Sequence, residues 1–132
     1  MANTGSPESW LYHAIEAAGL AAFPIQPPEG RQAPFAVFTR EGTDRDLDFE
    51  DGTTGAVSGE FTVEVFCDGY LDGKGLADTV RAAVNNFSGV AYGATIDRVQ
   101  LADERDGPPV LLNGRSTPTY AIEQTYTIFW NE

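Results

Sequence analysis

The residues with the most evident chemical potential are Asp44-Arg45-Asp46-Leu47-Asp48, three carboxylates at alternate positions, as in the opening of a helix-loop-helix calcium site. The pattern then fails at two positions that such a site needs. Phe49 stands where a sharp-turn glycine is required, and Gly55 where a bidentate glutamate would complete the shell. A solvated acidic stretch is the better reading, and no metal is expected. His13 is the only histidine and Cys67 the only cysteine. Tetrahedral zinc therefore lacks ligands, and Cys67, ending an apolar run, reads as an inert packing thiol rather than a nucleophile. Gly73-Lys74-Gly75 lacks the remaining positions of a phosphate loop. Carboxylates are plentiful, yet no two are singled out as an acid and base. The chain is expected to be no enzyme and to need no cofactor.

The 20 acidic residues outweigh 8 basic ones, for a formal charge of −12. Such a surface repels phosphate, which disfavours general nucleic-acid binding and docking on anionic lipid. A single cysteine permits no internal disulfide and fits synthesis in a reducing compartment. The N-terminal MANTGSPESW has neither a basic nor an apolar leader region, and no apolar run approaches the ~20 residues that span a bilayer. A soluble, unexported protein is expected.

The elements around these residues form one domain over 1–132, with a loose tail at 1–5. Ser6-Pro7 is a helix-start signal, and Leu11, Ala14, Ile15 and Ala18 share a face up to a stop at Gly19. Four prolines in FPIQPPEGRQAP then give an extended connector. Phe35 to Arg40 reads as an edge or first strand, and 41–58 as a long acidic loop or mobile hairpin. In Glu60 to Phe66, Phe61, Val63 and Val65 alternate with polar residues, the signature of a half-buried strand. Asp72 is the predicted cap of a second helix, in which Leu76, Val80, Ala83, Val84 and Phe87 recur until Ser88-Gly89. A strand at Ile96 to Leu101 and a loop at 102–118 follow. Thr119 to Asn131 closes the chain as a long central strand with Tyr120, Ile122, Gln124, Tyr126, Ile128 and Trp130 on one face. The order predicts an α+β fold: an antiparallel-rich sheet of about four or more strands with two helices on one side.

This layout resembles the tail-completion or tail-terminator proteins of long-tailed bacteriophages, found also in prophages and gene-transfer particles. The resemblance runs from about residue 8 to 130. It is carried by the opening helix with Leu11 and Ile15, by Ala33-Pro34-Phe35-Ala36-Val37-Phe38, and by the Gly59 to Phe66 strand. Its most diagnostic part is Tyr70-Leu71-Asp72 leading into Gly75-Leu76-Ala77-Asp78-Thr79-Val80-Arg81-Ala82-Ala83-Val84, before an aromatic-rich last strand. The resemblance implies a virion protein made in the host bacterial cytoplasm. It further implies a homo-hexameric ring at the head-proximal end of the tail, contacting the tail tube protein below and the head connector or stopper above, with DNA passing through unbound.

Given such a ring, the carboxylates of Glu41, Asp44, Asp46, Asp48, Glu50 and Asp51 would either line the lumen and repel the duplex or form a solvated outer surface. The Val110-Leu111-Leu112 knot, odd within a polar loop, could instead fold onto the core; as a subunit contact it would meet an exposed aromatic such as Trp10 or Phe129 on the next copy. Two competing readings are a head–tail connector and, from a different class, a small acidic regulatory protein that mimics DNA.

Overall fold

The computed structural model describes residues 6–48, 52–112, 114 and 117–131, leaving out the side chains of 46–48 and 52–55. The expected loose tail at 1–5 lies outside the described residues. Helix α1 (Pro7–Ala17) starts as the sequence predicts: the Ser6 hydroxyl accepts from the Ser9 amide at 3.3 Å, and Pro7 occupies the first turn. Gly19 follows the helix at φ +99°, a conformation that glycine adopts without a steric penalty. The connector contributes a short strand β1 (Ala22–Pro24), parallel to β2 (Phe35–Asp48). Proline at the end of β1 is tolerated because β1 is an edge strand, which places β2 inside the sheet at its start.

Strand β2 turns back into β3 (Gly52–Cys67); α2 (Tyr70–Val84), β4 (Gly89–Ala91), β5 (Ala94–Asp106) and β6 (Tyr120–Asn131) complete the chain. The six strands are ordered β1-β2-β3-β6-β5-β4, antiparallel apart from the β1–β2 pair, and β6 is central as expected. The fold is α+β. Both helices share one core with the sheet: Trp10, Leu11 and Ile15 of α1 and Ala77, Val80 and Val84 of α2 cluster with Phe61, Val63, Val65, Ile122, Tyr126 and Ile128.

The stretch 41–58, expected as a loop or hairpin, belongs largely to the β2–β3 hairpin, whereas of the expected loop at 102–118 only 102–106 is strand, with an isolated Val110–Thr119 bridge beyond it. Beyond the Arg45–Val57 pair, β2 and β3 continue as a ribbon to Asp48–Gly52, whereas β3 pairs with β6 only from Ala56 onward. This ribbon is an arm that projects past the sheet. Its sequence is dominated by acids, threonine and glycine, so it lacks the apolar–polar alternation by which strands are read. Strand β5 likewise runs on to Asp106, and its last residues Asp103, Glu104, Arg105 and Asp106 are charged, a common way of blunting an open strand edge.

Helix α2 begins at Tyr70 with Gly69 as its cap residue, not at Asp72, which falls in the first turn. Its buried face is Gly73, Ala77, Val80 and Val84. The two glycines that weaken its propensity have different settings. A Cβ on Gly75 would meet nothing, whereas one on Gly73 would sit 1.9 Å from the Cys67 sulfur and 2.9 Å from Ile122 Cδ1. Gly73 is therefore what lets α2 lie directly on β3 and β6. The helix ends at Val84 rather than near Ser88. Asn85 leaves the helical region, and its side chain accepts a bond from the Leu101 amide at 2.9 Å, while the Asn86 amide donates to Val99 at 3.0 Å. The segment after α2 is thereby drawn alongside β5.

Candidate functional site

Four of the six carboxylates singled out in the sequence, Glu41, Asp44, Asp46 and Asp48, lie on the arm and its base. Glu41 is the extra residue of a bulge between the Arg40–Phe61 and Gly42–Glu60 pairs, and it is exposed, as is Asp44. Asp46 falls at a second irregularity of the β2–β3 pairing and Asp48 pairs with Gly52, both with side chains outside the description, and Glu50 and Asp51 fall outside the described residues. An extended backbone in register with β3 cannot wrap an ion as a calcium loop does. Among the described residues, no group of three or more His, Cys, Asp and Glu is placed to hold a metal.

The base of the arm is built from glycine. A Cβ on Gly59 would meet the Gly42 carbonyl at 2.8 Å and the rings of Trp130 and Phe61 at 3.1 and 3.2 Å, so β3 can cross Trp130 only without a side chain there. Beside it, Gly42, Asp44, Ser58, Glu60 and Thr127 line a shallow hollow of about 360 Å³. Its ionisable groups are the acids Asp44 and Glu60, beside the hydroxyls of Thr43, Ser58 and Thr127. The junction is tied down by Arg40, which pairs with Glu8 through two bonds of 2.6 and 2.7 Å, donates to Thr43, and stacks over Trp130 at 4.9 Å.

On the sheet face away from the helices, Glu64 and Glu123 stand directly opposite each other on β3 and β6. Burial, followed by repulsion from Glu123 and Glu41, holds the Glu64 carboxyl above its ordinary range. Glu123 is partnered by Arg105 at 3.0 Å. At the end of β5, the Lys74 ammonium and the Tyr70 hydroxyl both donate to Asp106 at 2.7 Å, which lowers the Asp106 pKa and raises that of Lys74.

His13 and Cys67 have separate partners. The His13 ring lies flat on Tyr92 at 3.8 Å, with Nδ1 2.8 Å from the Ser9 carbonyl. Cys67 is buried and its sulfur lies 3.7 Å from the Tyr120 carbonyl; burial, then Asp68 and Asp72, push the thiol up, away from the reactive thiolate.

The expected contact residues separate. Trp10 is 2% exposed and stacks on Phe87 at 4.9 Å, so it belongs to the core and is not the exposed aromatic proposed for a neighbouring copy. Phe129 is half-buried under the Arg98 guanidinium at 4.3 Å. Within the knot, Val110 bridges to Thr119 and is half-buried, as is Leu112, while Leu111 is 64% exposed.

A polar network inside the core was not singled out by sequence. Gln124 is fully buried and donates to the Ala77 carbonyl at 2.8 Å and to Glu104 at 2.6 Å; it accepts from the Tyr126 hydroxyl at 2.7 Å, and Glu104 is met by Arg81 at 3.1 Å. The signal was present, since Gln124 is the one amide in an otherwise apolar and aromatic strand face.

No protein-family model matches the sequence, and no curated protein matches it. Among solved structures, the fold is similar to that of a chain in the virion of a native gene transfer agent particle, with a TM-score of 0.67 and 14% identity, over 92% of each chain. At that identity the likeness is one of fold.

Proposed function

We propose that this chain is a structural virion protein, and more specifically a tail-terminator subunit whose ring closes the tail tube and receives the head connector. The observation that carries this reading is the fold shared with a gene transfer agent virion chain along nearly the whole of both molecules. The surface adds to it. The acidic arm, with Glu41 and Asp44 exposed at its base, suits a lumen through which DNA slides without sticking. Leu111 offers an apolar contact to a neighbouring protein.

Electron microscopy of particles made without the protein tests the assignment. Over-long or uncapped tails are the expected result. Normal tails detached from full heads would assign the chain to the connector instead, and intact particles would refute both roles.

A further inference from the structure

In a chain of charge −12, two copies repel wherever their acidic surfaces approach. Contact between copies is therefore cheapest where charge is absent. The two longest charge-free runs lie between Glu16 and Glu29 and between Arg81 and Asp97. The fold places them on opposite edges of the sheet, the first forming β1 and the second β4.

Each edge also holds out apolar side chains on an unusual backbone. Ile25, just past β1, is 75% exposed at φ +70°, a region that β-branched residues rarely enter, and its amide is fixed by a 2.9 Å bond to the Phe38 carbonyl. On the other edge, Val90 is 74% and Tyr92 57% exposed. Tyr92 has φ +52° and is held by the His13 stack and by the Ser9 hydroxyl, which donates to its carbonyl at 3.4 Å. Side chains kept in solvent by a strained backbone with its own supports mark a surface built for contact. Each edge is three strand residues long with no charged residue of its own, although at β1 the Glu16 carboxylate accepts from the Ala22 amide at 2.8 Å and the Arg31 guanidinium lies over Phe23 at 5.4 Å.

We propose that the β1 edge of one copy, at Ile25, docks on the β4 edge of the next, at Val90 and Tyr92, forming the head-to-tail contact of the assembly. This rests on the ring reading above and supplies its lateral interface. Such a contact is heterologous, so it propagates round a ring rather than stopping at a dimer. Leu111, in the segment between β5 and β6, remains available to a different protein.

Disulfide trapping tests it, because the native Cys67 is buried and leaves a clean background. Ile25→Cys and Val90→Cys are made singly and together in the full chain, oxidised at high protein concentration and run on non-reducing gels, with mass by light scattering alongside. The double variant should give a ladder of covalent oligomers, and each single variant should remain monomeric on the gel, since residue 25 meets residue 90 and not its own copy. Dimers from a single variant would show a self-matching edge and overturn the proposal. A wild-type chain that assembles while the double variant gives no ladder overturns this interface but leaves the ring. A wild-type chain that stays monomeric overturns both. Ile25→Asp supplies the reciprocal check: it should keep the native circular dichroism and lose the assembled mass.

Discussion

At the scale of single residues, Gly73 separates local preference from packing. Alanine is the better helix former by about 1 kcal/mol, so on propensity alone Gly73→Ala would stabilise α2. The added methyl would instead fall on the Cys67 sulfur and close to Ile122. Overpacking of this kind costs about 1–3 kcal/mol, so a net loss is expected in chemical denaturation, and Cys67→Ala in the same chain should recover part of it. Glu64 gives the opposite sign. Its pKa is raised in the folded state, so between its ordinary value and that raised value the native form binds more protons than the unfolded form. Stability from this group therefore rises as pH falls through that window. Glu64→Gln should stabilise the protein at neutral pH by roughly 0.5 kcal/mol, the scale of a cross-strand pair, and flatten that part of the pH profile measured by thermal melting.

At the scale of elements, legibility followed burial. Strand β6 and helix α1 were read correctly because each packs one face on a core and so carries a period: Ile122, Gln124, Tyr126, Ile128 and Trp130 in the strand, Leu11 and Ile15 in the helix. The stretch 41–58 was read as a loop or hairpin and the end of β5 as a loop because both are rich in charged residues or glycine, leaving no apolar period to find. Strands β1 and β4 were missed for their length, three residues each; β1 also pairs across the proline-rich connector, whereas β4 forms a tight hairpin with the start of β5. Trp10 was misjudged because it lies at the start of α1, yet stacks on Phe87, beyond the end of α2. Within the candidate site, the identity of the acidic residues was plain but their setting on a ribbon was not. The arm has its own consequence. Replacing the six acids Glu41, Asp44, Asp46, Asp48, Glu50 and Asp51 by the matching amides should leave the far-ultraviolet circular dichroism unchanged, since ladder bonds are made by backbone. If the arm faces passing DNA, the assembled variant should retain duplex in a filter assay at low salt where the parent retains none. Equal retention would remove the arm from the lumen.

At the scale of the whole molecule, the net charge and the apolar side chains on the two edges oppose each other, and ionic strength decides between them. Each copy carries −12. The repulsion between copies reaches about 30 Å at 0.01 M salt and about 8 Å at 0.15 M, so at low salt it spans much of a neighbouring subunit, and near physiological salt only the contact itself. The apolar contribution of Ile25, Val90 and Tyr92 depends on area removed from water and changes little over that range. Self-association should therefore strengthen with added salt, the reverse of an interface held by ion pairs, and light scattering from 0.01 to 0.15 M sodium chloride should show the average mass climbing. The dependence also separates this reading from that of an acidic mimic of DNA. A mimic bound to a basic partner would release that partner as salt rises, whereas an edge-to-edge assembly gains subunits, so opposite slopes in one titration distinguish them.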